Sequence, residues 1–326
     1  MNVLVLSATA AAINVLLSLK DIPDLRLFVT DADPYAAGLY YNFVTPIVIP
    51  RARDREKYRK ALEHILTEHN IEMLLPSSDH DMEGIMELIS HGWEPNVKMF
   101  RPDYKIYRTL SDKLALNSAL SKNGFLVPKC FSSNESLQFP VVVKPTREGG
   151  GKGVYLVDNA QECALKLAEI RARFGDSYII QEYIPGGVGS IYMVVLIYGQ
   201  DGKIYGESVT QSHRTFYTWG ASGIAGTIVN EPEAAALAQS MIASLGGWFG
   251  PINLEFKRHA ENRRFYLMEA NCRLNGYSYL NTMNGLNFPK AMYELLVEGC
   301  TSPLSYKQLS QPINFVYGLR EKPIAP

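Results

Sequence analysis

Cysteine is scarce and scattered, with four in a chain of 326 residues. Cys130, Cys163, Cys272 and Cys300 form no CxxC pair and no Cys/His cluster. A disulfide framework and a zinc site are therefore not expected, and a reducing cytoplasm is the expected setting. Cys272 reads as a small packing residue. Excess charge is also missing. The formal net charge is −1 and no Lys/Arg tract occurs, so neither nucleic acid nor a membrane is an expected partner. No stretch approaches a membrane span. Residues 3–19 are apolar, but no Lys or Arg precedes them, which argues against a signal peptide. There is no GxGxxG. Where a dinucleotide fold would place its glycines the chain has Ser7-Ala-Thr-Ala-Ala-Ala12, which argues against a nicotinamide or flavin cofactor. No internal repeat is visible, so a duplicated architecture is excluded.

What is present is an ordinary globular composition, 47% hydrophobic and 20% charged, in a length that suits two or three domains. The first hundred residues alternate strand and helix. Strands are expected at 3–6, 25–30 and 73–75. Helices follow the first strand to about residue 20, occupy 54–69 with Tyr58, Leu62, Ile65 and Leu66 on one face, and run through 82–89. That order predicts a parallel sheet with right-handed crossovers, whose ligands bind at the carboxyl ends of the strands. Asp31 and Asp33, at one such end, read equally as ligands for a ribose or polar substrate and as caps of the turn. A helix over 111–122 stops at Gly124. From residue 139 the pattern becomes strand, glycine loop, strand, helix 159–174 and strand 178–183. A hairpin, 191–198 with 204–210, turns at Gly199-Gln-Asp-Gly202. Helix 233–245 and strands 252–257 and 265–270 follow, and the tail beyond Gly299 is too short for another domain.

Three motifs carry chemistry. In Phe139-Pro-Val-Val-Val-Lys144, a lysine closes an apolar strand just before Gly149-Gly-Gly-Lys-Gly153. Lysine supplies a point charge, and glycines let backbone N–H groups approach phosphate oxygens. A solvated lysine beside a mobile loop is the plainer reading; the strands on both sides favour nucleotide phosphates. In Tyr178-Ile-Ile-Gln-Glu-Tyr-Ile-Pro-Gly186, a strand breaks at Pro-Gly and can offer backbone groups to adenine. Alone, it would be an ordinary strand end. The third motif is the most informative. Ile252-Asn-Leu-Glu255-Phe-Lys257 and Leu267-Met-Glu269-Ala-Asn271-Cys-Arg273 flank a polar turn. A turn centred on Asn262 sets Glu255 opposite Glu269, with Asn253, Asn271 and Arg273 on the same face. Two opposed carboxylates repel in an apolar setting, and a divalent cation removes that cost. A nearby arginine suits phosphoryl transfer. A solvent-facing polar strand is the alternative, and the interleaved apolar residues weigh against it.

These motifs, in this order and spacing, resemble the ATP-grasp superfamily over almost the whole chain. The branch they resemble is that of small carbamoyl-phosphate-synthetase-like ligases, similar to amino-acid ligases. The resemblance implies an α/β fold: an N-terminal parallel-sheet pre-ATP-grasp domain (1–108), then two α+β ATP-grasp subdomains, a glycine-loop subdomain (109–184) and a metal-binding one (185–326). It implies that Lys113 and Lys144 contact the nucleotide phosphates and that Gly149, Gly150, Gly151 and Gly153 close over them. The Glu182–Ile184 segment, which includes Tyr183, would hold adenine through the backbones of Glu182 and Ile184. Glu255, Glu269 and Asn271 would bind magnesium, with manganese as a substitute, and Arg273 would stabilise the transferred phosphoryl group. Many relatives carry a ribose-binding acid after the Pro-Gly turn; here the chain reads Gly187-Val-Gly-Ser190, and Ser190 is the candidate. Arg214 and Asn275 are candidate substrate contacts, with specificity expected in the N-terminal strand-end loops and around 211–226 and 275–285. The implied reaction joins a small-molecule carboxylate, amino-acid-like, to an amine with release of ADP and phosphate, in a cytoplasmic enzyme that the resemblance suggests is a homodimer. A bicarbonate-using carboxylase and a non-catalytic nucleotide-binding regulator are the alternatives.

Overall fold

The amino-terminal residues Asn2–Leu6 form a strand (β1) that is buried along almost all its length, and in the computed structural model it founds the first of three sheets. The structure describes residues 1–132, 135–217, 221–299, 301–309, 311 and 313–316. Cys300 and residues 218–220 of the expected specificity region lie outside them. Helix Ala10–Leu19 (α1), strand Arg26–Asp31 (β2), strand Val44–Val48 (β3), helix Arg55–Glu68 (α2), strand Met73–Pro76 (β4) and helix Asp79–Ser90 (α3) complete the first unit. Its sheet order is β3-β2-β1-β4 and every pairing is parallel. The helical stripe of α2 faces inward through Tyr58, Leu62 and Ile65. Strand β3 carries Pro46, which lacks an N–H for the ladder and is tolerated because β3 is an edge strand.

Helices Tyr104–Leu110 (α4) and Lys113–Lys122 (α5) lead into a small sheet. It is built from Cys130–Phe131 (β5), Val141–Pro145 (β6), Tyr155–Val157 (β7) and Tyr178–Glu182 (β8), with helix Ala160–Phe174 (α6) between β7 and β8. Its order is β5-β8-β6-β7, all antiparallel. Asp112 caps α5 through its carboxylate, which accepts from the N–H groups of Leu114 and Ala115.

The third sheet holds the remaining strands. Ile191–Tyr198 (β9), Ile204–Tyr217 (β10), Ala221–Ile228 (β11), Gly250–Arg258 (β12) and Phe265–Asn271 (β13) are joined by helix Pro232–Ser244 (α7). Helices Ser278–Met283 (α8) and Phe288–Val297 (α9) precede two short strands, Leu304–Ser305 (β14) and Ile313–Val316 (β15). The order is β13-β12-β9-β10-β11-β15, with β14 paired to β10. The tail is thus the edge of this sheet. Strand β10 runs well beyond the expected residue 210, through register shifts between Ser212 and Thr215 that break the apolar alternation. Helix α8 packs on α1, with Tyr279 N–H donating to Asn14 and Thr282 to Ser18, so the first unit and the third sheet share one apolar core. Asp31 and Asp33 act as turn caps: Asp31 accepts from the N–H of Ala8 at 2.8 Å and of Asp33 at 2.9 Å, and Asp33 from Tyr35 at 3.0 Å. Among the described residues, no helix is long and apolar enough to cross a membrane.

Candidate active site

The hairpin β12–β13 places Asn253 opposite Asn271 and Glu255 opposite Glu269. Beyond that pair the register shifts, so that Phe256 faces Leu267 and Met268 is the extra residue of a bulge on β13. The Met268 carbonyl accepts from Lys144 Nζ at 3.5 Å across the cleft to the small sheet. Lys113, the first residue of α5, reaches Glu269 at 3.2 Å and donates to the Glu148 carbonyl at 2.6 Å. Both lysines are buried. The two carboxylates and two ammonium groups therefore gather where the glycine-loop sheet meets the large sheet.

The paired carboxylates are not equivalent. Burial, reinforced by the Glu269 charge, pushes the Glu255 carboxyl up to about 8. Burial also pushes Glu269 upward, but Lys113 and Lys144 outweigh it and hold Glu269 below its ordinary value. Lys144 is itself pushed down to about 8 by burial and by neighbouring Lys113. Glu255 receives amide donors, Asn271 at 3.3 Å and Asn253 at 3.4 Å, and no described cation pairs with it. What Glu255 lacks among the described residues is an ion-pair partner of its own, which a bound cation would supply. Two carboxylates and an amide oxygen are hard oxygen ligands, too few to fill a coordination sphere alone, which suits a magnesium ion that keeps positions for phosphates and water. Among the described residues no group of three or more His, Cys, Asp or Glu offers a denser site.

The asymmetry has a testable consequence. In chelator-treated protein, Glu269→Gln should lower stability by about 3 kcal/mol, because it leaves Lys113 buried without its carboxylate. Glu255→Gln should cost far less. Glu255 holds a proton in the folded state that the unfolded chain releases above its ordinary value of 4.5, so wild-type stability should fall as pH rises from 5 to 8. The slope is at most about 1.4 kcal/mol per pH unit, and Glu255→Gln should abolish it in urea melts. Equal losses in the two variants would refute the division of charge.

Arg273 lies just past β13, and its guanidinium grips Asp79 at both oxygens, Nε–Oδ1 at 3.0 Å and Nη2–Oδ2 at 2.6 Å. Burial pushes the Asp79 carboxyl up, yet Arg273 outweighs it and holds the carboxyl below its ordinary value. Asp79 opens α3, so this pair ties the first unit to the candidate metal face. A Cβ on Gly149 would stand 2.9 Å from Asp79 Oδ2, so the glycine loop approaches the same carboxylate. A small cavity of about 40 Å³ remains between Asp79, Lys113, Gly149 and Asn271. Asp79 was not singled out from the sequence as a site residue, although it lies just past the end of β4, in one of the strand-end loops where specificity was expected. Cys272 lines this cavity, and burial pushes its thiol well up, so it stays protonated as a packing group.

Gly150, Gly151 and Gly153 adopt φ of 65°, 74° and 69°, the left-handed region that disfavours side chains. Hydrogen exchange across residues 147–153 should slow when Mg-ATP is added; unchanged exchange at saturation would deny the loop a lid role. The Glu182 N–H donates to the Lys129 carbonyl at 2.8 Å, and its carboxylate accepts from the Lys129 N–H at 3.1 Å. Ile184 is buried, and the Tyr183 ring lies 4.5 Å from Lys257 Nζ. Ser190 donates to the Gly187 carbonyl at 2.5 Å, closing its own turn. Asn275 is buried behind the carboxylates; it donates to Asn253 at 3.5 Å and accepts from the Tyr277 N–H at 3.0 Å. Arg214 is exposed at the β10 bulge opposite Ala225. A larger open concavity of about 1650 Å³ borders Arg55, Trp93 and Lys98 in the first unit. It shares no lining residue with the site, and its Arg55 and Arg59 are paired with Glu87 and Glu63.

Residues 110–277 match the family model of the ATP-grasp domain. A D-alanine–D-alanine ligase from Thermotoga petrophila is 38% identical over 79 residues, 23% of this chain and 26% of that one. An acetyl-CoA carboxylase from Schizosaccharomyces pombe is 25% identical over 167 residues, 49% of this chain and 7% of that protein. The chain thus spans only a minor part of these curated relatives. The L-amino acid ligase structure from Bacillus licheniformis superposes with a TM-score of 0.70 at 13% identity, over 92% of this chain and 75% of that one.

Proposed function

Since the chain belongs to the ATP-grasp family, we propose that it is an ATP-dependent ligase that activates a small-molecule carboxylate as an acyl phosphate and passes it to an amine, releasing ADP and phosphate. The observation that carries this reading is the opposed pair Glu255 and Glu269, with Lys113, Lys144 and Arg273 around it. A pure nucleotide binder has no need of that set. Bound magnesium would neutralise phosphate oxygens; Glu255, Glu269 and the Asn271 amide oxygen would hold it. Lys113 and Lys144 would position the terminal phosphates, and Arg273 would face the charge that builds on the transferred group. In that reading Arg273 exchanges Asp79 for phosphoryl oxygens. Gly149–Gly153 would exclude water from the acyl phosphate, and a cytoplasmic homodimer acting on amino-acid-like substrates is part of the same reading.

The test is ADP release over pairs of carboxylates and amines, amino acids first. ADP formation that requires both partners, and a hydroxamate when hydroxylamine replaces the amine, is the expected result. ADP release supported by bicarbonate alone would select the carboxylase reading instead, which the match to a carboxylase keeps as the second candidate. No ADP release with any pair, in protein that binds ATP, would leave a nucleotide-binding regulator.

A further inference from the structure

The site described so far leaves one buried cation without a role. Lys257 is 4% exposed. It stands on β12 two residues beyond Glu255, on the same face, because the extra residue of the bulge belongs to β13 and β12 alternates regularly. Among the described residues no carboxylate pairs with it. What its ammonium meets is the ring of Tyr183, 4.5 Å from the centroid. Tyr183 directly follows β8 of the other sheet, between Glu182 and Ile184. The turn after it rests on the same hairpin: the Ala260 N–H donates to the Pro185 carbonyl at 2.8 Å, and a Cβ on Gly186 would lie 3.0 Å from the Arg258 carbonyl. Lys257 therefore bridges the two sheets inside the cleft, roughly 7 Å along the strand from the carboxylate pair.

An ammonium carries three donors and no acceptor. A ring face satisfies it only in part, so its burial is costly unless a ligand supplies an acceptor. Phosphates held between Lys113, Lys144 and the carboxylates would leave the nucleoside to extend along β12 toward Tyr183. The other polar candidate there, Ser190, spends its hydroxyl on the Gly187 carbonyl. We propose that Lys257 is a nucleotide-contact residue that donates a hydrogen bond to a neutral acceptor on the nucleoside part of ATP, a ring nitrogen of the base or a ribose oxygen. This rests on the ATP reading above and adds to it a binding determinant at the end remote from the chemistry.

The test is calorimetric titration of wild type and Lys257→Met with Mg-ATP and with magnesium tripolyphosphate, which lacks the nucleoside. Lys257→Met should weaken Mg-ATP about ten-fold, the loss of a charge-assisted hydrogen bond, and leave tripolyphosphate unchanged. Its unliganded melting temperature should match or exceed that of wild type, since a buried charge is removed; Lys257→Leu serves if the Met chain does not fold. The acceptor is identified by the analogue that binds wild type weakly and no longer responds to the substitution: 2′,3′-dideoxyATP for the ribose, or ATP lacking N1, N3 or N7 for the base. Equal ATP affinity in wild type and variant, equal loss for ATP and tripolyphosphate, or a full response with every analogue would overturn the proposal. Wild type that binds no Mg-ATP would sink the ATP reading together with this one, whereas wild-type binding with an unaffected variant sinks this one alone.

Discussion

Lys144→Met should reduce ATP turnover by about 10²- to 10³-fold, the usual loss when one preorganised charge is removed from a phosphoryl-transfer site. The folded state should survive. Lys144 is buried and pushed down to about 8, so its charge is poorly solvated, and Lys113 remains at 3.2 Å to neutralise Glu269. The variant should melt close to wild type while its ADP release collapses. Near-normal turnover in a folded variant would remove Lys144 from the machinery.

The second large effect is expected at Arg273, and there stability and activity must be separated. Arg273→Ala should lower ADP and product formation by about 10²-fold or more. It also strips Asp79, at the start of α3 in the first unit, of its partner. The Asp79 carboxyl is held below its ordinary value in the folded state, so the pair contributes stability that is present above the unfolded value of 3.8 and lost as pH falls through the folded one. Acid-induced unfolding below pH 4 should therefore lose one of its contributions in Arg273→Ala. Adding Asp79→Asn should recover melting temperature without recovering activity, measured by thermal melts and coupled ADP assay. Recovery of both would make Arg273 a structural residue only.

The site was legible wherever spacing within one hairpin fixes geometry. A turn centred on Asn262 sets Glu255 against Glu269, and these residues do lie opposite. The bulge at Met268 was not legible, because alternation assumes one residue per position, and the bulge supplies the carbonyl that Lys144 meets. The Asp79–Arg273 contact spans 194 residues and depends on how the first unit docks, which no local pattern encodes. The split between the two carboxylates is equally non-local: Lys113, from α5, forms its ion pair with Glu269, while burial dominates at Glu255. In the fold, the parallel alternation of the first unit was readable from its apolar runs. Strand β3 was not, because Pro46 and its exposed neighbours disguise an edge. The tail strands β14 and β15 are too short to announce themselves and exist because the β10 and β11 edges offer unpaired backbone.

The central claim, transfer of the γ-phosphoryl group to a carboxylate, is tested most directly by isotope transfer. The carboxylate selected by the ADP-release screen would be labelled with ¹⁸O and turned over with its amine, and the phosphate would be read by ³¹P NMR. Acyl-phosphate chemistry leaves one carboxylate oxygen on each phosphate released, so singly labelled inorganic phosphate is the expected result. Label in AMP, or unlabelled phosphate beside formed product, would contradict it.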